Sequence, residues 1–147
     1  MKTIINILLT SIIGFATFAL LISCHDDGDT TPPVINLIEP EEGAVLQIGA
    51  NVHFEMELSD NDLLLSYMVE IHSNFNNHAH TKSVRVDETE AFYLKKSWDV
   101  SGKKNAAIHH HEIAVPENST PGNYHLMVYC TDAAGNEASV SRNIILK

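Results

Sequence analysis

The sequence predicts an all-β protein built as an antiparallel β-sandwich. Two observations predict it: short segments after residue 33 alternate apolar with polar side chains, and turn residues such as Gly, Pro, Asp and Asn separate them at regular intervals. No segment after residue 23 has the apolar spacing of a helix. Regular short strands without a helix are typical of two antiparallel sheets that bury one face each. With no internal repeat, residues 34–147 are expected to form one domain.

The alternation locates the strands in order along the chain. Apolar and polar residues alternate at Val52, Phe54, Met56 and Leu58, and this period of two is typical of a strand with one buried face. A polar loop, 73–82, follows the fourth strand, and a short edge strand follows that loop. The predicted strands cover residues 34–38, 44–48, 52–59, 67–72, 84–86, 92–100, 108–115, 124–131 and 139–146.

The N-terminus predicts export and a lipid anchor. Residues 1–23 carry Lys2 and then a long apolar run, which is typical of a signal peptide. Leu21-Ile22-Ser23-Cys24 resembles a bacterial lipobox, and this resemblance implies cleavage before Cys24 and lipidation of that cysteine. The alternative is an uncleaved signal anchor with an incidental cysteine, since the run is long enough to span a bilayer. A lipid on Cys24 would attach the protein to a membrane without crossing it.

Residues 24–33 are predicted to be a polar tether that ends in Pro32-Pro33. The acidic residues after Cys24 resemble the surface-export signals of some outer-membrane lipoproteins, which implies an outer-membrane location with exposure at the cell surface. The alternative is that the segment is a tether and nothing more.

The net charge limits the classes of ligand that the protein can bind, and the cysteine content limits its disulfides. Removal of residues 1–23 takes away Lys2 and no acidic residue, so the formal charge changes from −10 to −11. This charge disfavours nucleic acid and favours cations. With Cys24 lipidated, Cys130 has no partner for a disulfide, and its place in an alternating strand predicts that it packs inward.

Two segments resemble bacterial immunoglobulin-like modules. Residues 30–35 are similar to their first strand, and residues 129–137 are similar to their F strand with the F–G turn. Pro121-Gly122-Asn123-Tyr124 resembles a tyrosine corner, in which Tyr124 bonds back across the E–F turn. The resemblance implies an immunoglobulin-like sandwich, in which strand C (67–72) lies beside strand F (124–131).

The chain as a whole resembles a family of uncharacterised single-domain bacterial lipoproteins. The matching segments are 72–80, 95–102 around Trp98, 109–116 and 122–125. The family has no settled activity, so the resemblance implies fold and location. It also implies that the histidines belong to the family pattern.

Eight of the nine histidines lie between His53 and His125, and two pairs have metal-ligand spacing. In an extended segment, alternate residues point the same way at roughly 6.5–7 Å, so His78 and His80 could converge on one ion. His109 and His111 have the same spacing. Because imidazole is the common ligand of zinc and copper, these four residues are candidate ligands.

His72 and His125 are predicted to point outward from the same sheet, on neighbouring strands C and F. The loop with His78 and His80 leaves strand C and could fold over them. The predicted ligands are His72, His78, His80 and His125, with help from His109 or His111. The alternative is that these side chains form a buried polar network that holds the loop.

The remaining histidines are expected to have other roles. His53 is predicted to be solvated. The alternation with Ile113 and Val115 predicts that His109 and His111 face the core and that His110 faces outward, although the run could also be an incidental surface tract. Glu70 and Glu112 are possible extra ligands.

No motif indicates an enzyme or an organic cofactor: the sequence has no glycine-rich phosphate loop, no G-x-S-x-G turn and no H-E-x-x-H helix. Asp60 and Asp62 could offer oxygen ligands to calcium, but a D-N-D segment between strands is more typical of a turn. A hydrolase with histidine-bound zinc is disfavoured, since no general base is evident beside such a site.

Two functions follow as expectations. The first is a non-enzymatic outer-membrane lipoprotein that binds or buffers zinc or copper, with an outer-membrane transporter or another surface protein as partner. The second is an interaction module for a protein or a glycan, in which the histidines are structural.

Overall fold

The computed structural model describes residues 28–75 and 89–147, and it confirms the all-β prediction for them. Eight strands and no helix occur there: β1 (Val34–Glu39), β2 (Val45–Leu46), β3 (Asn51–Ser59), β4 (Leu64–Ser73), β5 (Leu94–Asp99), β6 (Asn105–Ala114), β7 (Gly122–Asp132) and β8 (Glu137–Leu146). The predicted signal peptide, Cys24, the edge strand at 84–86 and the pair His78 and His80 lie outside the described residues.

The strands form two sheets that face each other. One sheet has the order β1-β3-β6, and the other has the order β2-β8-β7-β4-β5. All neighbours are antiparallel except β2, which runs parallel to β8. The predicted neighbours C and F are β4 and β7, which pair from Leu64↔Asp132 to Ser73↔Tyr124. The immunoglobulin-like prediction is confirmed in this central pairing.

The core lies between the sheets, where the inward residues of each strand meet. On β3, Phe54 and Met56 are fully buried while His53 and Glu57 are exposed. Cys130 on β7 is also fully buried, as predicted, and this burial raises the pKa of its thiol to about 11. The apolar alternation therefore determines which face of each strand is removed from water.

A tyrosine corner fixes the connection into β7, as the resemblance implied. The Tyr124 hydroxyl donates to the Thr120 carbonyl at 2.7 Å and accepts from the Phe92 amide at 3.1 Å. The Tyr124 side chain is fully buried. The hydroxyl thereby satisfies two backbone groups that the corner would otherwise bury unpaired.

The turn between β7 and β8 also holds the N-terminal segment. Asn136 donates from its backbone and its side chain to the Asp132 carboxylate, at 2.7 Å in each case. Its side-chain amide also donates to the Asp29 carbonyl at 3.0 Å. Pro33 is buried as well. The described part of the predicted tether, 28–33, therefore lies against the domain.

Within residues 28–75 and 89–147, no helix has the length and apolar character that crossing a bilayer requires.

Candidate metal sites on the two sheets

Three exposed histidines meet on the outer face of the three-stranded sheet. One ring nitrogen from each of His53, His109 and His111 lies within 4.8 Å of the other two. The His53 ring centroid is 4.9 Å from that of His109 and 5.0 Å from that of His111. We call these residues the histidine trio, and three imidazoles this close could hold a metal ion.

The facing predicted for the histidine run is wrong: His109 and His111 point to solvent, and His110 points into the sandwich. A β-bulge in β6 is the cause. Phe54 is paired with His110 and Val52 with Ile113, so one residue of β3 is opposite two residues of β6. The extra residue interrupts the alternation, so counting backward from Ile113 inverts the facing of all three histidines.

His110 belongs to an aromatic stack between the sheets. Its ring centroid lies 5.1 Å from that of Phe54 and 5.0 Å from that of Trp98. Its Nε2 shares a hydrogen bond of 3.1 Å with the Tyr67 hydroxyl, and its Nδ1 lies 3.4 Å from the Glu112 amide nitrogen. Both ring nitrogens are engaged, and His110 is a structural residue.

Burial lowers the pKa of His110, and it outweighs the nearby Glu112 carboxylate, which acts in the opposite direction. Burial likewise raises the pKa of Tyr67, with a second contribution from Glu112. Both side chains are therefore neutral at pH 7, which suits their place in the stack.

The possible extra ligand Glu112 has other partners. Its Oε2 accepts from the Trp98 indole at 2.8 Å and from Lys96 Nζ at 2.9 Å. These bonds hold the pKa of Glu112 below its usual value, with the indole bond the larger cause. The carboxylate thus links edge strand β6 to edge strand β5 across the open side of the sandwich. It is not a member of the histidine trio.

Glu55 is the carboxylate beside the trio. It lies opposite His109 in the β3–β6 ladder, and its Oε2 is 3.7 Å from His53 Nε2. A carboxylate next to a ligating imidazole can orient the ring and increase its basicity, or it can move in as a further ligand.

His72 and His125 lie on the other sheet, facing outward as predicted. They are opposite each other in the β4–β7 ladder, with ring centroids 5.4 Å apart. His125 Nε2 accepts from the Asn74 amide at 2.7 Å. His72 Nδ1 is shielded from solvent and has no hydrogen-bond partner in the described structure, and Glu70 Oε1 lies 3.7 Å from it.

The predicted set of His72 and His125 with His78 and His80 stays a prediction, because the latter two lie outside the described residues. Within the described residues, His72 and His125 do not form a set of three with another histidine or acid, whereas His109 and His111 do so with His53. His53 is exposed, as predicted for a solvated residue, but it is also a member of the trio. A prediction that β3 pairs with β6 would have included His53 among the candidate ligands, because this pairing places His53 beside the histidine run.

The trio has the chemistry of a partial transition-metal site. Three imidazoles leave at least one coordination position open, and all three rings can be reached from solvent. A tetrahedral zinc site would draw the nitrogens somewhat closer than they are, to about 2.0–2.1 Å from the ion. Rotation of exposed side chains on a rigid pair of strands can make that adjustment.

Comparison with known proteins identifies the family of the chain. No curated protein matches the sequence. The family described as "Domain of unknown function (DUF4625)" matches residues 22–147. This match covers the whole described sandwich, and it confirms the resemblance to an uncharacterised single-domain family. The chain belongs to the DUF4625 family.

Proposed function

We propose that this protein is a lipid-anchored accessory protein of the outer membrane that binds zinc or copper at the histidine trio. The observation that carries the proposal is the convergence of His53, His109 and His111, with one ring nitrogen of each within 4.8 Å of the others. Neutral imidazole is a good ligand for both metals.

Exposure of the trio favours capture and release over permanent storage. The His53 side chain is 50 % exposed, and the neighbouring Glu55 side chain is 41 % exposed. An exposed site with an open coordination position can pass its ion to another ligand without unfolding. Because all three rings are exposed, we propose reversible binding of the ion as the role of the trio.

The overall charge supports attraction of cations. The formal charge of −10 is carried by 19 acidic and 9 basic residues. A negative surface raises the local concentration of divalent cations and steers them toward the protein. A transporter or other surface protein of the outer membrane is the partner we propose for the captured ion.

The direct test is a competition titration of Zn²⁺ and Cu²⁺ against a chromophoric chelator, with the full-length protein at pH 7.5. Wild type should bind one ion per chain, and His53→Gln or His109→Gln should weaken binding by about tenfold or more. His72→Gln is the matched control, because it removes an outward histidine from the other sheet. It should leave affinity unchanged.

The same titration separates the competing sites. If wild type binds neither metal with a Kd below roughly millimolar, the proposed metal binding is wrong and the interaction module is favoured. If His53→Gln binds like wild type while His78→Gln with His80→Gln does not, the site belongs to the loop pair.

Protonation should oppose binding. Imidazole ordinarily has a pKa near 6.5, and the protonated ring has no free lone pair. Affinity for Zn²⁺ should therefore fall steeply between pH 7.5 and pH 5.5. The same titration repeated at these two values measures the effect, and a constant affinity would contradict ligation by histidine.

A further inference from the structure

Three aspartates from distant parts of the chain meet at one end of the sandwich. Asp29 precedes β1, Asp60 follows β3, and Asp132 ends β7. One carboxylate oxygen from each lies within 4.8 Å of the other two. We call these residues the aspartate cluster, and it contains none of the histidines discussed above.

Backbone hydrogen bonds hold two of these carboxylates in fixed orientations. Asp29 Oδ1 accepts from the Thr31 amide at 2.9 Å, and Asp60 Oδ1 accepts from the Asp62 amide at 2.9 Å. The second oxygen of each, Oδ2, is shielded from solvent and has no hydrogen-bond partner in the described structure. Each carboxylate thus has one oxygen fixed and one oxygen without a direct hydrogen bond. The nearby Asn61 side chain, and next the Thr31 amide, lower the pKa of Asp29, which keeps this carboxylate charged.

Asp132 is the buried member of the cluster. Its side chain is 1 % exposed, and Asn136 donates to both of its oxygens at 2.7 Å. Each carboxylate oxygen has a second lone pair, so these bonds leave acceptor capacity on Asp132. Asn136 also donates to the Asp29 carbonyl, and it therefore joins two members of the cluster.

Among the described residues, no cationic side chain forms an ion pair with the cluster. None of the ion pairs within residues 28–75 and 89–147 includes these carboxylates. Lys104 donates to the Asn61 carbonyl, not to the cluster. The pKa of the Cys130 thiol is raised mainly by burial and additionally by the charges of Asp60 and Asp132, so their field reaches the core.

Buried carboxylate oxygens without partners are costly, and three like charges at this separation repel one another. Both costs disappear if a cation occupies the point on which the oxygens converge. We propose that the aspartate cluster is a calcium site, which has hard oxygen ligands and is chemically distinct from the histidine trio.

Calcium fits the ligand set better than the metals proposed for the trio. Carboxylate oxygens at 2.3–2.6 Å are its usual ligands, and flexible geometry with completing waters is common, whereas zinc and copper prefer nitrogen or sulfur. The ion would connect residues 28–33 with the β3–β4 loop and the β7–β8 turn. It would thereby fix the segment that follows the proposed lipid anchor to the domain.

The first measurement uses the full-length protein, freed of metal with a chelator and then titrated with Ca²⁺ at constant ionic strength. Thermal unfolding should shift to higher temperature as free Ca²⁺ rises to about 10 mM, which covers the affinities of extracellular modules. At a free concentration ten times the Kd, the ratio of folded to unfolded protein rises about elevenfold. Equilibrium dialysis should show one bound ion per chain.

Asp60→Asn is the informative variant, because its amide oxygen can keep the bond from the Asp62 amide while one charge is lost. It should weaken Ca²⁺ binding by about tenfold or more. In chelator it should unfold at the same temperature as wild type or a higher one, since repulsion is relieved. If Asp60 had only a structural role, Asp60→Asn would unfold at a lower temperature than wild type both in chelator and in Ca²⁺.

Asp62→Asn is the matched control, since Asp62 is an exposed aspartate of the same turn outside the cluster. It should bind Ca²⁺ as wild type does. Should Asp60→Asn not fold, Asp29→Asn tests the same point and keeps an oxygen for the Thr31 amide.

The calcium site is contradicted if wild type binds no Ca²⁺ and shows no shift in unfolding temperature at about 10 mM Ca²⁺. It is also contradicted if Asp60→Asn and Asp62→Asn lose Ca²⁺ affinity equally. The proposal is independent of the histidine trio. Ca²⁺ binding should therefore be retained in His53→Gln, and loss of zinc binding in that variant leaves the calcium result unaffected.

Discussion

Neighbouring histidines of β6 differ because their surroundings differ. His109 and His111 are exposed and free to move toward an ion, whereas His110 is stacked on Phe54 and Trp98. The same imidazole group thus serves as a candidate ligand in two positions and as an aromatic core residue in the third. A variant at His110 should accordingly change stability, and a variant at His109 should change metal affinity.

The neutral state of His110 predicts a pH dependence of stability. Its pKa is lowered in the folded protein by burial, so the unfolded chain takes up the proton more readily. The contribution to stability is complete above about pH 6.5 and is lost as pH falls through the window below that value. Urea unfolding of metal-free protein between pH 7.5 and pH 5.5 should show this loss.

His110→Gln should reduce that pH dependence, since the amide can still bond the Tyr67 hydroxyl but does not titrate. The matched control is His53→Gln, an exposed position on the adjacent strand, which should leave the unfolding free energy at pH 7.5 nearly unchanged. If wild type and His110→Gln lose equal stability on acidification, His110 is not the cause.

The Tyr124 hydroxyl should contribute measurably to stability through its two backbone bonds. Tyr124→Phe leaves the Phe92 amide and the Thr120 carbonyl without this partner, at a cost of about 1–3 kcal/mol in the free energy of unfolding. Tyr93→Phe is the control, because Tyr93 is 60 % exposed and its hydroxyl can bond to water. Denaturant unfolding of both variants measures the difference. Equal losses in the free energy of unfolding would contradict a stabilising role of the Tyr124 hydroxyl.

At the scale of the strands, alternation predicted the fold well because burial of one face is a local property of each segment. The pattern of Val52, Phe54 and Met56 needs no knowledge of partners, and the structure confirms it. The bulge opposite His53 was not predictable in this way. It depends on which residues of β3 and β6 are paired, and the sequence of one strand does not contain that register.

The candidate sites were less predictable for a related reason. The histidine trio draws on β3 and β6, and the aspartate cluster draws on Asp29, Asp60 and Asp132, which are far apart in the chain. Spacing within one segment identifies pairs such as His109 and His111. The topology supplies the third member of the trio and brings together all three members of the aspartate cluster, because it places distant turns and strands side by side.

The start of β7 is predicted to require glycine. Gly122 has a φ of +147°, and a Cβ placed there would lie 2.6 Å from Phe75 Cε1. Gly122→Ala should therefore cost about 1–3 kcal/mol in the free energy of unfolding. It should also displace the Phe75 ring from Tyr124, whose centroid is 5.3 Å away.

Two comparisons separate the contributions at Gly122. Gly43→Ala has a positive φ but open space around it, so it measures the backbone cost alone. In a Phe75→Ala background, the cost of Gly122→Ala should fall toward that of Gly43→Ala. An unchanged cost would mean that the contact with Phe75 is unimportant.

At the scale of the whole molecule, the two proposed sites are expected to bind different metals because their ligand atoms differ. The trio offers nitrogen on an exposed sheet face, and the cluster offers oxygen in a partly buried junction. Zinc or copper and calcium should thus bind without competing. Protein saturated with Ca²⁺ should retain its full affinity for Zn²⁺, and calorimetric titration in both orders measures this. Displacement of one ion by the other would show a shared site.

Lipidation of Cys24 is the prediction on which the location of both sites depends. Cys24→Ser should abolish incorporation of a labelled fatty acid, because the thiol that carries the lipid is lost. It should also leave residues 1–23 attached, since cleavage at a lipobox depends on its cysteine, so the lipid label is the measurement that decides. Cys130→Ala is the matched control. Cys130 is a fully buried thiol of β7, so this change should leave the label intact. A wild-type protein that takes up no label would indicate an uncleaved signal anchor, and the aspartate cluster would then stand next to a membrane-spanning segment instead of a lipid.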